Sequence, residues 1–103
     1  MVDPKKLVVV WDKPAYSSLQ TAIKYIKEDS VANAKGVQQG ILKMIRELQD
    51  HPKKHPRDKF KKNNPGNYRA FEKYSFRIAY KITEREIIIL RVRHVKQEPL
   101  EYK

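Results

Sequence analysis

Along this chain the spacing of apolar residues changes twice. The first run, Leu7-Val8-Val9-Val10-Trp11, is continuous, mostly β-branched and closed by Asp12 and Pro14, which predicts a short strand. Apolar positions then recur at helical spacing as Ala15, Leu19, Ala22, Ile23 and Ile26. Asp12 is placed to cap this helix and Pro14 falls in its first turn, where a missing N–H costs nothing; the helix should run to about Asp29. A second helix begins at Ser30 or Asn33 and ends near Asp50, with Val37, Ile41, Ile45 and Leu48 on one stripe opposite Lys35, Lys43 and Glu47. So short a connection makes the two helices antiparallel neighbours, and neither can cover its stripe without a third surface.

From His51 to Asn67 the period disappears. Three prolines, a glycine, three asparagines and six lysines or arginines against one aspartate predict a long exposed loop with a net charge of +5. Three strands follow, Tyr68–Tyr74, Ser75–Ile82 and Glu86–His94, the last two joined by a turn over Thr83-Glu84-Arg85-Glu86. In the middle strand Phe76, Ile78, Tyr80 and Ile82 alternate with Arg77, Ala79 and Lys81, so one face packs on the helices and the other turns cations to solvent. Continuing the alternation puts Ile88, Leu90 and Val92 on the buried face of the last strand and Ile89, Arg91 and Arg93 on the open one. Arg77, Lys81, Arg91 and Arg93 then share a face.

The expected fold class is α+β: an N-terminal strand and a helical hairpin packed on a curved antiparallel β-sheet, with the first strand joined to the three later ones. At 103 residues the chain fits one domain, residues 1–103. Hydrophobic residues at 40% and charged residues at 34% suit a small core with a solvated surface. No cysteine is present, which excludes disulfides, thiolate metal sites and cysteine nucleophiles, and fits a cytoplasmic setting. The apolar run near the start is too short for a signal sequence or a membrane span, so no membrane partner is expected.

Charge changes the picture more than composition does. The net charge is +11, and it is lopsided: residues 1–50 carry 8 basic and 6 acidic side chains, residues 51–103 carry 15 and 6. The back half is therefore the part that would meet a polyanion. Glycine-rich phosphate loops and Ser/His/Asp arrangements are absent, which removes many enzyme classes. His51 and His55 stand four apart, but Pro52 and Pro56 prevent the helix that would join them on a metal; they read as solvated loop histidines, and no metal or cofactor is expected.

The ordered set Phe76-Arg77-Ile78-Ala79-Tyr80, then the isoleucine-rich strand ending Arg91-Val92-Arg93-His94, then a short tail bearing Tyr102, resembles the RelE/ParE superfamily of toxins from bacterial type II toxin-antitoxin systems. The likeness is close over the last third and agrees in element order over the rest. It implies a cognate antitoxin protein as partner and one of two targets. RelE-like members are ribosome-dependent endoribonucleases that cut messenger RNA; ParE-like members act on DNA gyrase. The first reading is a ribosome-dependent mRNA endoribonuclease working on ribosome-bound mRNA without metal. The alternatives are a gyrase-directed toxin or a catalytically inactive nucleic-acid-binding relative.

Cutting RNA through its own 2'-hydroxyl requires proton removal, stabilisation of the phosphorane's extra charge, and a proton or positive charge for the leaving oxygen. The resemblance assigns phosphate binding to Arg77, acid–base work to His94, and stacking or proton transfer to Tyr102, with Arg69 and Lys96 flanking. Lys59, Lys61, Lys62, Lys73, Lys81, Arg91 and Arg93 would contact the nucleic-acid backbone. The chain departs from the RNase pattern where alternating lysines precede the strand arginine: it has Arg69 and then Phe71, one cation short. Strict alternation also sets His94 on the face opposite Arg93, so a common site needs a bulge or twist at the strand's end.

Overall fold

The computed structural model describes residues 6–97 and 101–103. Its order is β1 (Val8–Trp11), α1 (Lys13–Asp29), α2 (Val31–Glu47), β2 (Tyr68–Lys73), β3 (Phe76–Ile82), β4 (Glu86–His94) and a 3-10 turn over Val95–Gln97. Both helices lie where the apolar period places them. Asp12 occupies the N-cap position of α1 but makes no side-chain cap bond, whereas Ser30 ends α1 and starts α2: its N–H donates to the Ile26 carbonyl at 2.8 Å and its hydroxyl accepts from the Asn33 N–H at 3.1 Å. A single extended residue thus turns the chain between antiparallel helices.

The four strands form one sheet in the order β1-β4-β3-β2. β2, β3 and β4 are antiparallel, as the short turns between them require, while β1 lies parallel to β4, so the sheet is mixed at that edge. Tyr74 and Ser75 join β2 to β3 with φ of 53° and 67°, the left-handed pair of a tight two-residue hairpin turn. The helical hairpin covers one face. Ala15 and Leu19 of α1 and Ile41 and Ile45 of α2, with Leu48 just beyond, meet Phe71, Ile78, Tyr80, Ile87, Ile89 and Val92 of the sheet. Each fully buried aliphatic side chain there stabilises the fold by about 1.5–3 kcal/mol.

Two expectations are corrected. In β4 it is Ile87 and Ile89 that are fully buried, while Ile88 and Leu90 are only half-buried. The register explains this: Tyr80 pairs with Ile89 but Ala79 pairs with Arg91, so Leu90 is an extra residue that reverses the strand's parity at a bulge. Beyond the bulge Val92 is buried and Arg91 and Arg93 face outward, as the alternation from β3 predicts.

The segment from His51 to Asn67 forms no helix or strand of its own and about half of its residues are exposed, but it is fastened to the sheet along its length. The buried Tyr80 hydroxyl donates to the Pro52 carbonyl at 2.7 Å, and burial pushes that phenol up to about 12. The His55 ring lies 4.8 Å from that of Phe71, and burial first, then the Lys54 charge, lowers its imidazole below the usual value. Residues Pro56 to Asp58 then run along the edge of β2, with Asp58 N–H donating to the Tyr68 carbonyl at 2.9 Å and Ala70 N–H to that of Pro56 at 3.3 Å. Asn64 closes the segment, its amide nitrogen donating to the Tyr68 carbonyl at 2.7 Å and its oxygen accepting the Gly66 N–H at 2.9 Å. The helices cover one face of the sheet and this segment lies across part of the other.

Candidate functional site: a basic sheet face closed by a carboxylate clasp

The open face follows from strand parity. Cross-strand partners share a face, and the pairs Glu72 with Arg77, Arg77 with Arg93, Ala79 with Arg91, and Tyr68 with Lys81 place these side chains together. Aromatic rings alternate with the cations. The Arg77 guanidinium lies 4.8 Å from the Phe60 ring, Arg91 lies 4.5 Å from Tyr102, and Lys61 lies 4.5 Å from Tyr68 and 5.8 Å from Tyr102. Lys81 approaches Tyr68 from the sheet at 5.4 Å. Contacts of this kind hold each cation's charge near the surface while packing its stem.

At the centre of the face sits Asp58, a residue only 3% exposed. One carboxylate oxygen accepts from Arg77 at 2.8 Å and from the Phe60 N–H at 3.1 Å; the other accepts from the Tyr102 hydroxyl at 2.6 Å. Glu72 takes the other terminal nitrogen of Arg77 at 3.0 Å. Burial pushes the Asp58 carboxyl up, but the bonds from Arg77, Tyr102 and Phe60 outweigh it, and the group is held below the ordinary aspartate value. Burial likewise works against the Arg77 charge and is outweighed by its two carboxylates. Burial and the bond to Asp58 together drive the Tyr102 phenol upward. Main-chain bonds complete the clasp: Tyr102 N–H donates to Phe60 at 2.9 Å and Lys62 N–H to Tyr102 at 2.8 Å.

The profile of a family described as the ParE toxin of the type II toxin-antitoxin system parDE matches residues 9–99. The chain belongs to the ParE toxin family. A solved structure described as a chromosomal ParDE toxin-antitoxin system from P. aeruginosa is similar in fold, with a TM-score of 0.67 and 20% sequence identity over 87% of this chain and 97% of that one. No match is found among curated proteins.

In this ParE family member the residues expected to form one site divide between two faces. Arg77 and Tyr102 come together, through Asp58. Lys81, Arg91 and Arg93 share their face, and Lys59, Lys61 and Lys62 lie on the segment that crosses it. His94 does not join them. It pairs with Phe76 on the helix side, their rings 5.4 Å apart, because the bulge lies at Leu90, before Arg93, and normal alternation resumes afterwards. There His94 lines a cleft of about 720 Å³ between α1 and the β2–β3 hairpin, and its Nδ1 accepts the Lys96 N–H at 3.1 Å. Lys96 itself is exposed in the 3-10 turn.

Arg69 pairs with Tyr80, also away from the open face, and spends its guanidinium on the carbonyls of His55 at 2.8 Å and Gly66 at 3.1 Å. Lys73 pairs with Phe76 at the hairpin tip, on the helix side, 4.9 Å from the Tyr74 ring. Asp58, Phe60, Tyr68 and Glu72 are the members of the face that the sequence reading missed. The one signal for Asp58 was its being the sole acid among six cations between His51 and Asn67. Among the described residues no cluster of three or more His, Cys, Asp or Glu could hold a metal, and no helix is long and apolar enough to cross a membrane.

Proposed function

We propose that this ParE-family toxin acts on DNA gyrase by binding, held in check by a cognate antitoxin, and does not cut messenger RNA. The observation that carries the reading is the state of Arg77. Both of its terminal nitrogens are engaged by carboxylates, one of them nearly fully buried. An arginine so neutralised offers little to a phosphorane, whose stabilisation depends on a donor directed at the developing charge. The general acid and base that RNA cleavage also needs are missing from that face, since His94 stands on the other side of the sheet and the Tyr102 proton is committed to Asp58. A binding role asks only for a shaped, charged surface, and the aromatic and cationic open face supplies one.

The test sets two assays side by side. Purified toxin should inhibit supercoiling by gyrase, with relief on adding the antitoxin, and primer extension on messages from arrested cells should find them intact. Discrete ribosome-dependent cuts that vanish with Arg77→Ala, together with unimpaired supercoiling, would return the RNase reading to first place.

A further inference from the structure

We infer that Asp58 fills an oxyanion site on the open face, standing where a phosphate of a nucleic-acid backbone would otherwise be held, and so keeps the affinity of this face for nucleic acid low. The cradle has the make-up of a phosphate site. A guanidinium, a phenolic hydroxyl and a main-chain N–H converge on one carboxylate within 3.1 Å, the donor set that recognises tetrahedral oxyanions in protein–nucleic acid contacts.

Its surroundings point to a polymer and not a free ion. Arg91 and Arg93 line the same small recess as Asp58 and Arg77, and Lys59, Lys61, Lys62 and Lys81 extend the charge along the face, between rings of Phe60, Tyr68 and Tyr102 that could flank bases. Asp58 comes from the crossing segment, not from the sheet. The anion is therefore carried on the piece of chain that lies over the site, and a carboxylate tethered there competes with any external phosphate at a very high effective concentration. The lysine rim attracts nucleic acid while the centre declines to hold it. This inference does not depend on the gyrase reading, because neither gyrase nor ribosome enters its test.

The experiment measures binding of a fluorescent single-stranded oligonucleotide of about a dozen nucleotides by fluorescence anisotropy between about 50 and 200 mM salt. The proteins compared are the wild type, Asp58→Ala, Glu101→Gln as a control for losing one exposed negative charge next to Tyr102 in sequence, and Asp58→Ala with Arg77→Ala. Asp58→Ala should bind about tenfold tighter than Glu101→Gln, the gain of one charge-assisted contact. Its plot of log affinity against log salt should steepen by about 0.7, the signature of one more phosphate neutralised on a single strand. The double variant should lose both effects. Affinity and slope equal to those of Glu101→Gln, in a variant whose circular dichroism is native, would overturn the proposal and leave Asp58 as a staple between segment and sheet. If Asp58→Ala is unfolded in chloride, inorganic phosphate at matched ionic strength should refold it by filling the vacated cradle; failure to do so also overturns the proposal.

Discussion

Removing Arg77 and removing Asp58 should have unequal effects on stability. Arg77→Ala leaves a carboxylate that is 3% exposed without its main counter-charge, and breaking a buried pair in this way costs about 3–5 kcal/mol. Asp58→Asn keeps an acceptor for the Phe60 N–H and leaves Arg77 with Glu72, so its cost should be clearly smaller. Urea midpoints of the two variants would check the order, and equal losses would count against the burial argument. Acid titration gives a second reading. The folded carboxyl titrates below its ordinary value of 3.8, so as pH falls the unfolded chain takes up the proton first; the stabilisation is complete above 3.8 and drains away as pH drops from there toward the folded value. Asp58→Asn should remove that part of the acid destabilisation and leave the rest of the curve in place. None of this was legible in the sequence, because a lone aspartate among prolines and lysines carries no periodicity and its partners lie 19 and 44 residues away.

At the scale of elements, legibility depended on whether polar residues interrupt the apolar ones. β3 alternates cleanly in sequence, and Ile78 and Tyr80 are buried against the helices as the pattern predicts, but Ala79 on the opposite face is buried as well, while Phe76 and Ile82 near the strand's ends are only half-buried. β4 begins with Ile87-Ile88-Ile89-Leu90, an unbroken apolar run in which either parity reads equally well, and the bulge at Leu90 is invisible until a partner strand fixes the register. The difference is measurable: Ile89→Ala, at a fully buried position, should cost about 2–5 kcal/mol, and Ile88→Ala on the other face well under half as much. The reverse order in thermal or urea unfolding would reject the register. The α2 glycines form a similar pair. A methyl at Gly36 meets nothing within 4 Å, so Gly36→Ala should stabilise by about 0.8–1.0 kcal/mol through helix propensity alone. At Gly40 the same methyl would come within 2.5 Å of the Tyr74 ring, so the helical gain must be set against displacing the half-exposed tyrosine that docks the β2–β3 turn on α2. Gly40→Ala should therefore gain less than Gly36→Ala, and an equal gain would mean that Tyr74 is not held there.

For the whole molecule the governing quantity is the net charge of +11, concentrated in residues 51–103, where 15 basic side chains face 6 acidic ones. A field of this strength guides the first encounter with an antitoxin of opposite charge, and such guidance acts on the association rate more than on the lifetime of the complex. Raising salt from about 0.1 M to about 1 M shortens the screening length from about 10 Å to about 3 Å, so the association rate with the antitoxin should fall by about tenfold or more while dissociation changes little. The lopsided distribution adds a condition. Lys59 and Lys62 are exposed within the basic half, whereas Lys24 and Lys27 are exposed on α1 in a half whose charges nearly cancel. Reversing the first pair to glutamate should slow association more than reversing the second, as read by stopped-flow mixing at low salt. Equal slowing would mean that only total charge matters, and a rate indifferent to salt would mean that charge does not guide the encounter.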